Sequence, residues 1–304
     1  MIRLPEINDE NETAFREDTY ERVHKFLSAH LTDPDYSKII EYYKSGTELD
    51  GKKIEKVLIG NKAALEIAIE EIGEITKDSV KSEFERLYKN FCKRDFGMHW
   101  AEMIGITVCP YCNRSYIFTS SKKGTRPQYD HYFPKSKYPY LALSMYNLIP
   151  CCSICNSLKS DTDTYITPIV YPYAESFGTQ ASFSAGVAGD EINSWLGVSS
   201  KYQIEIKYAA SIDAKLEDRI KKSEKLFHLR DLYGKHSDFV RDILRTAYIY
   251  GDDYFEGLLE QYPDLFHSEA EARNFVFFNY LDERDWGNRV LAKLTHDIYN
   301  EGQV

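Results

Sequence analysis

Residues 128–135 read Gln-Tyr-Asp-His-Tyr-Phe-Pro-Lys, and residues 147–159 read Asn-Leu-Ile-Pro-Cys-Cys-Ser-Ile-Cys-Asn-Ser-Leu-Lys. Upstream of both, residues 109–112 read Cys-Pro-Tyr-Cys. Cys109 with Cys112 and Cys152 with Cys155 are therefore two CxxC units. That spacing lets two thiolates of one turn reach a single ion, and two such turns complete a tetrahedral site of the kind zinc prefers. Four thiolates leave no open position, so the expected Zn²⁺ is structural. Cys151 lies beside Cys152, but only Cys152 makes CxxC with Cys155. The 39 residues between Cys112 and Cys152 exceed an ordinary zinc-ribbon gap, so something is built into the loop.

The surrounding chain agrees with a segment that is not a packed bundle. Pro110, Pro127, Pro134, Pro139 and Pro150 fall within it, a density that helices do not tolerate. Short strands and irregular backbone are expected over 105–165. On either side the pattern is helical. Val80, Phe84, Leu87, Tyr88 and Phe91 recur on one face of a helix, as do Val23, Phe26, Leu27 and Leu31. Ala63–Ile72 is rich in helix formers. Over 166–210 the chain looks β-prone: Gln203–Tyr208 alternates apolar and polar residues, and Ala181–Val187 is a candidate partner. From 211 onward helices return, with Ser268 and Glu271 forming a capping box. The expected fold is α+β, mainly α, with four regions: 1–100 helical, 101–165 the metal-binding finger, 166–210 the β extension, and 211–304 helical.

Composition sets outer bounds. The 304 residues are 43% hydrophobic and 28% charged, values of a globular chain. No apolar run approaches the ~20 residues of a membrane helix, and no secretory signal opens the sequence. A cytoplasmic location is expected, where six cysteines serve as metal ligands or free thiols rather than disulfides. The net charge of −10 disfavours nucleic acid at first sight. Yet residues 101–160 hold seven Lys or Arg against Glu102 and Asp130, a net of +5, and the remainder carries −15. Such an island either marks where a polyanion docks or is a chance fluctuation on a solvated face.

Between the cysteine pairs lie the residues that phosphodiester cleavage requires. Histidine is the side chain best suited to taking a proton from water near neutral pH. A divalent ion on the scissile phosphate needs hard oxygen ligands, and one carboxylate with one amide oxygen suffices for Mg²⁺. His131, Asp130 and Asn156 supply these groups. Asp-His, then Asn147 after 15 residues, then Asn156 after 8 more, interleaved with CxxC pairs, resembles the HNH endonucleases and their ββα-metal finger. The resemblance implies a strand ending at Asp130-His131, a loop through 132–146, a strand at 147–150 and a helix from about 153 to 160. It implies that His131 is the general base, that Asn147 orients its imidazole, and that Asp130 and Asn156 hold a catalytic Mg²⁺ or Mn²⁺. Lys159, Lys135, Lys137 and Arg114 would contact nucleic acid. The amide at 156, where the family often has histidine, favours Mg²⁺ or Mn²⁺ over Zn²⁺. The wider pattern, DHYFPKSKYPYLAL followed by NLIPCCSICN, is similar to the HNH nuclease subunit of Septu-type bacterial antiphage systems, which works with a separate ATPase. This chain has no GxxxxGK[ST] motif, so an ATPase would be a partner. DNA is the implied substrate. RNA cleavage and a non-catalytic zinc module binding nucleic acid or protein are the alternatives.

Three further features allow two readings each. Tyr132, Phe133, Tyr138 and Tyr140 alternate with lysines, to stack on bases or to pack over the finger. Lys215, Arg219, Lys221, Lys222 and Lys225 either track a phosphate backbone or form a solvated helix face among Glu217, Asp218 and Glu224. Cys92 and His99 read as packed side chains rather than ligands.

Overall fold

The computed structural model describes residues 1–120, 124–186, 196 and 202–302. Lys122 and Lys123 of the basic window, and Val187 at the end of an expected strand, lie outside the described residues. The chain is mainly helical with small two-stranded sheets, as its patterning predicts. It divides into two units, each assembled from separated stretches of sequence.

One unit comprises 5–106 and 117–168. Its helices are α1 (Asp9–Ala29), α2 (Ser37–Tyr43), α3 (Gly51–Leu58), α4 (Lys62–Ile72), α5 (Asp78–Lys93) and α6 (Asp95–Ile104). Asn8 caps α1 by accepting from the amide of Asn11, and Asp9, Glu10 and Glu12 complement the positive helix start. The apolar stripes face inward: Phe15 of α1 meets Phe91 of α5 and Trp100 of α6, with ring centroids 5.7 and 4.9 Å apart. After a minor hairpin of β1 (Lys44–Ser45) and β2 (Glu48–Leu49), β3 (Gln128–His131) and β4 (Leu148–Cys151) pair antiparallel, with Asp130 opposite Ile149 and His131 opposite Leu148. α7 (Ser153–Lys159) follows directly. The strand–loop–strand–helix order implied by the resemblance is thus present, with the second strand one residue later than expected.

The proline-rich segment is irregular, as expected, yet it packs a core. Tyr129, Tyr132, Phe133, Tyr138, Tyr140, Leu141, Met145, Leu148 and Ile149 are all buried. This decides the aromatic question in favour of packing. The α-helices contribute directly. Tyr129 donates its hydroxyl to the Gly97 carbonyl at 2.9 Å and accepts from the Ala101 amide. Tyr140 donates to the Gly73 carbonyl, and the Ile75 amide donates to Lys137. Gly97 is required for this seating, because a Cβ there would lie 2.2 Å from the Phe91 carbonyl oxygen.

The second unit comprises 1–4, 107–116 and 169–304. β5 (Ala181–Gly186) and β6 (Gln203–Tyr208) pair antiparallel along their whole length, so the alternating pattern at 203–208 is a strand as predicted. α8 (Ala214–Leu226), α9 (Leu229–Tyr233), α10 (Ser237–Ile249), α11 (Asp252–Gln261), α12 (Glu269–Val276) and α13 (Ala292–Gly302) complete it. Phe183 of β5 stacks on Tyr233 with centroids 4.0 Å apart, and its amide donates to Asp297 of α13. On α8, Lys221 pairs with Glu217, Lys222 with Asp218, and Arg219 with Glu175. These three cations are thus paired with carboxylates, which favours the reading of a solvated helix face. No helix among the described residues is long and apolar enough to cross a membrane.

Candidate functional site

Each CxxC unit is fixed by backbone bonds that its sequence dictates. In the first, the Asn113 amide donates to the Cys109 carbonyl at 2.8 Å, and the Cys109 amide to Ser115. Asn113 adopts φ 50°, a left-handed conformation that asparagine tolerates better than most residues. Its buried side chain donates to the Trp286 carbonyl at 2.9 Å and accepts from the Lys293 amide at 3.0 Å. In the second, Cys152 caps α7, its Sγ accepting from the Cys155 amide at 3.4 Å. The Sγ atoms of Cys109, Cys112, Cys152 and Cys155 all lie within 4.8 Å of one another. Four thiolates around one Zn²⁺ at about 2.3 Å each would sit about 3.8 Å apart. The four cysteines could therefore hold a metal ion, and an all-sulfur donor set suits one such as zinc. Cys151 is buried outside this cluster, its thiol pushed up by burial. Cys92 is a buried thiol of α5, as expected.

Asp130, His131 and Asn156 line one cavity of about 410 Å³, together with Tyr88, Arg126, Gln128 and Lys135. β3 supplies Gln128, Asp130 and His131, and α7 supplies Asn156. Because Asn156 follows Cys155, and its amide donates to the Cys152 carbonyl at 3.0 Å, the Cys152–Cys155 turn sets its position. Its side-chain Nδ2 donates to Gln128 Oε1 at 2.7 Å, which leaves the amide oxygen for other use.

His131 is buried, and its Nε2 lies 3.0 Å from the Ala142 carbonyl oxygen. Burial, reinforced by the charges of Lys135 and Lys159, draws its pKa down to about 3. The ring is neutral at pH 7. A carbonyl can only accept, so Nε2 carries the proton and Nδ1 keeps a lone pair. A folded pKa below the ordinary value of about 6.5 means that the unfolded chain binds the proton first. The stability this contributes is present above about pH 6.5 and declines as pH falls toward 3. Chemical denaturation between pH 7 and 4 should show that decline, and His131→Gln should flatten it.

Asn147, which the resemblance implies orients the imidazole, makes no direct bond to it among the described contacts and acts one step away. Its Oδ1 accepts from the Phe133 amide at 2.7 Å, and its Nδ2 donates to the Phe133 and Leu141 carbonyls at 3.1 Å each. These bonds pin the loop whose next residue, Ala142, receives His131. Asn147→Ala should cost about 3 kcal/mol or more, since it strands buried backbone groups worth roughly 1–3 kcal/mol each. Urea unfolding of the variant against the parent checks this.

The four cations expected at nucleic acid part company. Lys135 lines the cavity. Lys137 is bound to Asp163 at 3.1 Å and does not line it. Arg114 belongs to the second unit, where its Nε donates to His236 at 3.1 Å. Lys159 is the clearest correction. It is fully buried, its Nζ 2.6 Å from the His131 carbonyl and 3.2 Å from Asp130 Oδ1, and so presents nothing to a phosphate.

Sequence reasoning missed Tyr88, Arg126 and Gln128. Tyr88 reads as one more apolar position of α5, yet its ring meets His131 edge-on with centroids 4.6 Å apart. Arg126 stood only in the basic window. Gln128 alternates with Tyr129 on a strand, and only the pairing with Asn156 gives it a role. No protein-family model, no curated protein and no solved structure matches this chain.

Proposed function

We propose that this chain is a metal-dependent nuclease of the HNH type that hydrolyses DNA phosphodiesters in the cavity of Asp130, His131 and Asn156. The observation carrying this is that the three residues, separated by up to 26 positions in sequence, line one cavity with the cations Arg126 and Lys135. A neutral histidine with an Nδ1 lone pair, two cations and the carboxylates of Asp130 and Asp161 in one cavity suits an anionic ester held through a divalent ion and attacked by water.

The donor set fits a hard divalent cation: Asp130 and the Asn156 amide oxygen would hold Mg²⁺ or Mn²⁺, most of whose shell stays water. That ion would supply charge stabilisation at the phosphate and at the departing oxygen. His131 Nδ1 takes a proton from a water molecule. The water oxygen bonds to phosphorus as the bond from phosphorus to the 3′ oxygen breaks, and solvent protonates that oxygen. The products are a 5′-phosphate and a 3′-hydroxyl. The His131–Ala142 bond holds the ring's tautomer throughout. A bound phosphodiester anion raises the proton affinity of His131, opposing the effect of Lys135 and Lys159.

The resemblance to antiphage nucleases further supports a separate ATPase partner, and the −15 carried outside 101–160 disfavours bulk DNA binding by the chain alone. The isolated chain should therefore cut slowly, better with Mn²⁺ than with Mg²⁺. The test is to offer end-labelled DNA and RNA of one sequence with Mn²⁺, Mg²⁺ or EDTA, and to map the ends. DNA cleavage leaving 5′-phosphates is the expected result. Cleavage of RNA alone would reassign the substrate, and cleavage of neither would favour a non-catalytic zinc module.

A further inference from the structure

Lys159 is the least expected residue of the site. A lysine with no solvent exposure is rare, and burying its charge is costly unless partners receive it. Its partners are consecutive residues at the end of β3. The ammonium donates to the His131 carbonyl oxygen at 2.6 Å and lies 3.2 Å from Asp130 Oδ1. Lys159 also ends α7, one turn beyond Asn156. One short helix thus provides the amide that lines the cavity and the cation that grips the carboxylate.

We propose that Lys159 is a positioning residue that fixes the end of β3 and holds divalent metal affinity down by sharing the Asp130 carboxylate. This rests on the nuclease reading above. The bond to the His131 carbonyl anchors the backbone from which the imidazole projects, while the Ala142 carbonyl, on the loop that Asn147 pins, holds the ring nitrogen. The charge on Asp130 is already opposed by a cation at ion-pair distance, in a buried setting where such charges interact strongly. A metal joining that carboxylate meets a partly neutralised ligand. It is held loosely, as suits an ion that keeps its waters and must release the product phosphate.

Removing the cation should therefore move two quantities in opposite directions. Lys159→Met and Lys159→Gln should bind Mn²⁺ at least about tenfold more tightly, since the repulsion is gone. At saturating Mn²⁺ they should cleave DNA at least about tenfold more slowly, because the base has lost its anchor. Lys159→Arg keeps the charge and should bind Mn²⁺ within a few-fold of the parent. A general weakening of the fold would lower affinity and rate together, so the opposed signs separate positioning from mere structural support.

The experiment measures Mn²⁺ binding by electron paramagnetic resonance on the zinc-loaded full chain, with Asp130→Ala to identify the site. Zinc content and thermal unfolding accompany each variant. Tighter Mn²⁺ binding by folded Lys159→Met or Lys159→Gln, with slower cleavage, supports the proposal. Unchanged or weaker binding by these variants overturns it. Failure of all three variants to fold also overturns it, because the ammonium then serves the core alone. Absence of Mn²⁺ binding and of cleavage in the parent chain would instead remove the nuclease reading, and this proposal with it.

Discussion

His131→Ala is expected to reduce DNA cleavage by about 10²–10⁴-fold, the contribution of a positioned general base, while leaving zinc content and fold intact. The ring is buried, but its one described polar bond is to the Ala142 carbonyl. Truncation therefore opens a small cavity and frees one acceptor without breaking the aromatic core of Tyr129, Tyr132 and Phe133. The loss should appear in single-turnover rates at saturating metal, and added imidazole should restore part of it. Near-normal turnover by the purified variant would remove His131 from the chemistry.

Serine at Cys109, Cys112, Cys152 or Cys155 is expected to lower bound zinc and soluble yield together. Zinc affinity is part of the folding free energy where a structural site is involved. The Cys152–Cys155 turn also seats Asn156, so partial unfolding there would reach the cavity directly. Cys151→Ser is the internal control, because Cys151 lies outside the four-sulfur cluster. Zinc measured by mass spectrometry should fall from one ion per chain in each of the four variants and remain in Cys151→Ser. Full zinc in Cys152→Ser, with loss only in Cys151→Ser, would reverse the ligand assignment.

The parts of the fold legible in sequence were those with a period or a fixed spacing. The stripe from Val80 to Phe91 is α5, the alternation at 203–208 is β6, and the two CxxC units converge on one cluster. The core of the proline-rich segment is hidden in the sequence, because Tyr129 and Tyr140 are buried through hydroxyl bonds to backbone carbonyls far along the chain and Tyr138 through one to the Asp163 carboxylate. Amphipathic side chains of this sort fit a core or a base-stacking surface equally well on paper. The burial of Lys159 is hidden for a related reason. Lysine is normally exposed, and nothing in its local spacing reveals that α7 turns it beneath β3. Tyr88 and Gln128 became visible only once α5, β3 and α7 were seen to border one cavity.

The most direct measurement is cleavage of supercoiled plasmid by the zinc-loaded chain, wild type and His131→Ala side by side, with Mn²⁺ and with EDTA. Nicked or linear DNA with 5′-phosphate ends is expected from the wild type in Mn²⁺, none in EDTA, and a rate about 10²–10⁴-fold lower from His131→Ala. Equal cleavage by both proteins, or cleavage that persists in EDTA, would contradict that expectation.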